Sequence, residues 1–177
     1  MIDPCIYPWH KMPQADWPRH MQEAYKLLNV KEKQGREVNP VIISWAKETN
    51  IPYTDDATPW CGLFVAVTLF RAGREILPSW ENLRAMAWKE YGTYHNRAMF
   101  GDLLIFTRQG GGHVGYYAGE DLMHYHVLGG NQSDSVCIVK ILKSRCYFIR
   151  RPAYKNPPVS VKQYIVNVNG EVSDNEQ

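Results

Sequence analysis

The sequence predicts an α+β domain: helices in its first half, packed on a roughly five-stranded antiparallel sheet formed by its second. Three observations predict this. Proline-opened segments with apolar residues at helical spacing recur before about residue 91. From Phe100 the texture changes to short apolar runs broken by Gly and Asn. Helices first and strands afterwards, with short connections between the strands, is the order of an α+β domain with antiparallel neighbours.

The first helix is predicted from Asp16-Trp17-Pro18 to about Val30, with Met21, Tyr25, Leu27 and Leu28 on its apolar face. Asn39-Pro40 repeats the start signal, Asn as cap and Pro in the first turn, and a helix over Val41 to Thr49 follows. Thr58-Pro59 does so again, with Thr58 as cap. That helix carries Cys61, runs to about Ala72 and stops at Gly73. Ser79 is the expected cap of a fourth helix, about Trp80 to Tyr91. Strands are expected at about Asp102–Thr107, His113–Gly119, Leu122–Leu128, Ser135–Leu142 and Cys146–Arg151. Residues 153–177 read as a polar, proline-bearing tail, either disordered or holding one hairpin around Asn167–Gly170. Residues 1–152 are expected to form one catalytic domain.

The 177 residues suit one domain with a sizeable core. A net charge of +2 is too mild to point to nucleic acid. No apolar run approaches the roughly 20 residues of a membrane helix, so membrane insertion is not expected. The N-terminus has no basic segment followed by an apolar one, so no secretory signal is read. The four cysteines (Cys5, Cys61, Cys137, Cys146) form no CxxC pair. Free thiols are the default, and a Cys137–Cys146 bridge between adjacent strands is left open.

Three segments carry chemistry. In Thr58-Pro59-Trp60-Cys61-Gly62, Cys61 falls in the first turn of a helix, where unpaired N–H groups and the helix dipole favour a thiolate and can hold an oxyanion. Gly62 leaves room for a substrate backbone. In Gly112-His113-Val114-Gly115, His113 opens a strand at the sheet edge, placed to serve as base to a cysteine. In Gly129-Gly130-Asn131-Gln132-Ser133-Asp134, Asn131 returns near His113 if the two strands pair, and can fix the imidazole tautomer. Each has a plain structural reading: a buried cysteine, a turn histidine, a Gly-Asn turn.

Taken in order, these segments resemble the cysteine, histidine and asparagine motifs of the NlpC/P60–CHAP superfamily, nearest to the CHAP-like group of phage lysins and antibacterial effectors. Asn39-Pro40, Gly101-Asp102, Ser144-Arg145 and Arg150-Arg151-Pro152 match as well, so the likeness spans about Val30 to Pro152. The resemblance implies a papain-like fold and a cysteine peptidase or amidase that cuts an amide bond of peptidoglycan. Cys61 would be nucleophile, His113 base and Asn131 orienting residue. The sequence departs from the pattern at Gly129, where many CHAP enzymes carry an acid. His126, or failing that His124, is the alternative third member.

Trp60, Asp56 and Gly112 are candidate substrate contacts. Metal and cofactor are not expected: His113, His124 and His126 lack a carboxylate or further histidine at ligand spacing. The expected setting is the periplasm or cell wall, reached by export or injection. An immunity protein or secretion carrier is a candidate partner beside peptidoglycan. Two other readings stay open: a papain-like enzyme that deamidates or cross-links a protein, and a catalytically dead module that binds the wall or a partner.

Overall fold

The computed structural model describes residues 1–33, 39–54, 58–108 and 110–166. Among the described residues three α-helices come first: α1 (Arg19–Lys26), α2 (Pro40–Thr49) and α3 (Cys61–Arg71). Six strands follow: β1 (Thr93–His95), β2 (Leu103–Arg108), β3 (Gly111–Glu120), β4 (His124–Gly129), β5 (Cys137–Leu142) and β6 (Cys146–Arg151). They form one antiparallel sheet in the order β1-β6-β2-β3-β4-β5. The chain is therefore α+β, with one strand more than expected. The extra strand, β1, has three residues, and nothing in Thr93-Tyr94-His95 marks it. Pairing to β6 makes it, helped by Arg150, whose guanidinium donates to the Tyr91 and Gly92 carbonyls.

The helix starts depart from expectation in two places. At α2 the reading holds: Asn39 accepts from the Val41 amide at 2.8 Å and Pro40 occupies the first turn. At α3 the cap position is Trp60, not Thr58, and no side chain caps it. α1 begins only after Pro18 and ends at Lys26. Asp16 instead closes a short 3-10 turn.

The α-helix expected over about Trp80 to Tyr91 does not form. Ser79–Leu83 and Ala85–Glu90 are two 3-10 turns broken at Arg84. Asn82 explains the break. Its amide nitrogen donates to the carbonyls of Leu77 and Ser79, while its own carbonyl accepts from the Trp88 indole at 3.1 Å. Carbonyls held by side chains are not available to an α-helical ladder.

α3 is buried on all sides over Cys61–Leu69. It lies between α1, α2 and β3, and its middle is tied to the sheet by Tyr116, whose hydroxyl reaches Thr68 (2.8 Å) and Val65 O (3.2 Å). The N-terminal turns complete this core. Tyr7 stacks on Trp9, and Trp9 on Phe100.

The opposite face of the sheet is buried too, although no helix among the described residues covers it. Leu104, Phe106, Tyr117 and Val127 are fully shielded there. Chain connectivity explains why. β5 and β6 are joined by Lys143–Arg145 alone, a reach of at most about 14 Å. In a flat sheet the four intervening spacings would put them about 19 Å apart. The sheet must curl, and the second apolar cluster fills the curl. Cys137 and Cys146 both contribute to it, but β2, β3 and β4 separate their strands, and all four cysteines are free thiols. The bridge between adjacent strands is thus not formed.

Two ties close the domain. Buried Asp102 accepts from Arg151 Nε (2.8 Å) and a terminal nitrogen (2.7 Å), and from the Met99 amide (2.9 Å). This joins the end of β6 to the turn before β2. Residues 153–166 are not a free tail: Tyr164 packs into the core, and its backbone bonds the Tyr117 hydroxyl and the Glu120 amide. The hairpin expected at Asn167–Gly170 lies outside the described residues. No described helix is long and apolar enough to cross a membrane.

Candidate active site

Cys61 is the first residue of α3, as its sequence context requires. Its sulfur is approached by the amides of Val114, Gly62 and Cys61 itself, and lies within the field of Arg108. All four favour the charged form. Burial opposes them and wins: at 3% exposure the thiol is pushed above its ordinary range. The resting group is therefore a thiol. The thiolate expected from the helix start alone does not form unaided.

Gly62 serves a different purpose from the one anticipated. A Cβ there would lie 2.0 Å from the Asn82 carbonyl oxygen. The chain's own backbone, not a substrate, comes close at this point, and it seats the 3-10 turns against the start of α3.

His113 is buried in β3, opposite Phe106 of β2. α3 packs on β3, and the Val114 amide beside His113 lies near enough to favour charge on the Cys61 sulfur, so the two predicted residues fall in one region of the fold. The partner of the ring is Gln132, not Asn131. His113 Nε2 and Gln132 Oε1 are 2.9 Å apart. The Gln132 amide nitrogen donates to the carbonyls of Cys137 (2.6 Å) and Val127 (3.2 Å). Carbonyls can only accept, so the amide cannot be flipped, and the atom facing the ring must be its oxygen. His113 Nε2 therefore carries the proton, and Nδ1 is left as the basic nitrogen.

The turn geometry decides between the two amides. Asn131, Ser133 and Asp134 all take left-handed φ (56°, 51° and 56°), so the chain coils tightly and the side chain at 132 points back under the sheet. Gly129 leaves the room: a Cβ there would lie 2.8 Å from Gln132 Oε1 and 3.2 Å from His113 Nε2. The turn is clamped from outside. The Asn29 amide bonds Val136 O, the Val136 amide bonds Val30 O, and the Glu32 amide bonds Asp134 O.

His126 and His124 are excluded as partners of His113. His126 pairs with Gly119, six residues along β3 from His113, which is about 20 Å. Both histidines instead surround Asp121 at 2.9 and 3.3 Å, with Lys140 at 2.9 Å. Burial opposes the Asp121 charge, but Lys140, His124 and two backbone amides outweigh it and hold the carboxyl well below its usual range. This cluster closes the far end of the β3–β4 hairpin.

A cleft of about 280 Å³ opens beside Cys61, between the Arg84–Met86 turn and the β2–β3 hairpin. Gly112 lines it as expected, and a Cβ there would meet Met86 and the Phe106 carbonyl at 3.0 Å. Trp60 does not. It is wholly buried against Gly130, Trp45 and Phe64, and its indole donates to Glu32 at 2.8 Å. Asp56 lies outside the described residues. Arg84 and Arg108, which sequence reasoning passed over, stand on the cleft walls. No isolated signal marks them, since both look like ordinary surface arginines. Among the described residues no three of His, Cys, Asp and Glu come together to hold a metal ion. No protein-family model matches the chain, and no curated protein does.

Proposed function

We propose that this chain is a papain-like cysteine hydrolase of the NlpC/P60–CHAP kind, which cuts an amide bond of peptidoglycan through a thioester intermediate. The observation that carries the reading is the placement of a cysteine at a helix start against the amide next to His113, with that histidine held in one tautomer by Gln132. The ordered sequence motifs supply the substrate class.

In this mechanism the Cys61 proton passes to His113 Nδ1 as substrate binds, and the sulfur attacks the carbonyl carbon. The first-turn amide of Cys61 stabilises the oxyanion. His113 then gives its proton to the leaving amine, the C–N bond breaks, and a thioester remains on Cys61. Water, deprotonated by His113, hydrolyses it and frees the acid. Gln132 keeps Nε2 protonated throughout and steadies the imidazolium, the role that the resemblance implies for Asn131. As a wall hydrolase the protein acts beyond the cytoplasmic membrane, as a phage lysin or an injected effector, and an effector would have a cognate immunity protein.

The test is mass spectrometry of purified sacculi incubated with the wild type and with Cys61→Ala. New muropeptides from the wild type alone are expected. None from either, with the thiol reduced and the protein folded, would move the assignment to a protein amide. The burial of Cys61 favours a second reading, a module that binds without turnover. That reading requires Cys61 to react with iodoacetamide no faster than a free model thiol.

A further inference from the structure

The curl of the sheet has a mouth, a hollow of about 230 Å³ between β1 and β6 on one side and Tyr125 of β4 with Lys143 on the other. Cys146 lines it and pairs with Phe106 of β2, which in turn pairs with His113 of β3. Cys146 belongs to the second apolar cluster, so the mouth lies level with His113 but on the side of the sheet away from α3. Phe70, Trp80, Tyr94 and Tyr147 are the exposed aromatic side chains among the described residues, and Tyr94 and Tyr147 meet here. At 62% and 64% exposure these two rings give the core little. They are nonetheless held firmly. Tyr94 lies in the three-residue β1, which Arg150 pins through the Tyr91 and Gly92 carbonyls, and which His95 pins through Thr93 and Arg151. Tyr147 rests edge-to-face on Phe148 with the ring centres 5.0 Å apart.

Rings fixed around a small open hollow suit a ligand with flat apolar faces and a polar rim. The tyrosine hydroxyls and the exposed amide of Asn96 supply both donors and acceptors, which a polar ligand can use. Among the described lining residues Lys143 is the one with a permanent charge. Its ammonium lies over the Tyr125 ring at 5.3 Å and 3.4 Å from a Glu120 carboxylate oxygen. A cationic ligand meets Lys143, and an anionic one meets Glu120 beside it, so neither sign is favoured. A neutral sugar ring fits all of this: C–H bonds on its faces, which the electron-rich face of a tyrosine attracts, and hydroxyls around its edge. We propose that the mouth is a second binding site, which holds one neutral pyranose ring of a glycan chain on Tyr94 and Tyr147. At about 230 Å³ it is smaller than ordinary ligand pockets and takes one ring of a longer chain. The sugar site does not rest on the hydrolase reading, but its use does. On a wall strand it holds the sugar backbone on one side of the sheet while Cys61 works on a peptide from the other.

The probe is chitotetraose, a soluble neutral chain of N-acetylglucosamine, titrated into the full chain and followed by amide NMR. Saturable shifts at Tyr94, His95, Asn96 and Tyr147 are expected, with a Kd of about 1 mM, as suits a single-ring contact. Tyr94→Ala and Tyr147→Ala should each weaken binding about fivefold, the worth of one aromatic contact. Phe70→Ala, which removes an exposed ring on α3, should not. All three side chains are exposed, so the melting temperature should hold in each variant. No saturable shifts, shifts centred elsewhere, or unchanged affinity in both tyrosine variants overturns the proposal. A free stem peptide is titrated in parallel, and a mouth that answers to the peptide and not to the sugar overturns it as well. Co-sedimentation of Cys61→Ala with sacculi reads the same site on the wall. It should fall about fivefold when Tyr94→Ala is added, and an unchanged bound fraction overturns the proposal. Sugar binding at the mouth without muropeptide release by the wild type sinks the hydrolase reading alone. Muropeptide release without sugar binding at the mouth sinks this inference alone.

Discussion

Replacing Gln132 with leucine keeps most of the side-chain volume and removes every polar atom from it. Three buried groups then lose a partner: His113 Nε2–H and the carbonyls of Val127 and Cys137. An orphaned buried donor or acceptor costs about 1–3 kcal/mol, so the loss in stability from three of them should be roughly 3–9 kcal/mol, less whatever relaxation recovers. That is a large part of the 5–15 kcal/mol typical of a folded domain, and a urea titration at neutral pH will read it. The second effect is on the proton. With no acceptor fixed opposite Nε2, the Nδ1–H tautomer becomes populated, and in that form the base has no lone pair toward Cys61. Loss of tautomer control in a comparable triad reduces turnover about 10⁴-fold. Nitrogen NMR of labelled His113 separates the two effects. The wild type should show Nε2 protonated and Nδ1 bare at a pH where the ring is neutral. Finding Nδ1 protonated in the wild type would refute the reasoning, since Gln132 would then have to turn a donor to the ring and leave its oxygen facing a carbonyl.

Three further outcomes are expected. Asp102→Ala leaves the Arg151 guanidinium without its buried carboxylate and should cost about 3–5 kcal/mol, seen as a lower melting temperature, with Cys61 reactivity preserved in the surviving folded fraction. Gly62→Ala places a methyl 2.0 Å from the Asn82 carbonyl, more than ordinary overpacking; it should displace the Arg84–Met86 wall and abolish wall lysis, whereas Gly110→Ala, with nothing within 4 Å, should lose only what its positive φ of 80° exacts. His20 is wholly buried, donates from Nε2 to Gly101 O at 2.9 Å, and is pushed down by burial to about 3. Its folded pKa lies below the unfolded value of about 6.5, so only the unfolded chain takes up the proton between them, and stability falls as pH drops through that window. By pH 4.5 the loss is about 3 kcal/mol; His126, also lowered by burial, adds in the same direction. Urea midpoints compared at pH 7 and 4.5 will show it, and His20→Phe should flatten the slope.

Much of the candidate site was legible because its signals are local. A cysteine after Thr-Pro-Trp lies at a helix start, and Gly-His-Val-Gly opens a strand; both follow from backbone chemistry within a few residues. What failed to show depends on contacts far along the chain. Asn131 and Gln132 are adjacent amides, and only the three left-handed residues of their turn decide which one reaches His113. His124 and His126 do share a face, as a strand requires, since both reach Asp121. Which end of the sheet that face occupies is a matter of register against β3. Trp60 neighbours Cys61 in sequence yet points into the core, because the Gly130 backbone crosses over it. The fourth helix was lost where the Asn82 side chain takes the Ser79 carbonyl and the Trp88 indole takes that of Asn82, two carbonyls that its ladder would need.

The clamp on the Gln132 turn has a consequence for dissecting the protein. Three residues in left-handed backbone are held there partly by 29–32, a stretch about a hundred positions upstream that touches neither Cys61 nor His113 in the chain order. A fragment trimmed to the helix and the sheet would keep Cys61, His113 and Gln132. It would lose what holds that turn in its coil, and each left-handed residue would be free to relax by about 1–2 kcal/mol. Such a fragment can fold and still present its histidine in the wrong tautomer. The smallest unit that keeps His113 in its tautomer is therefore set by the tension in one turn, and it begins well before Cys61.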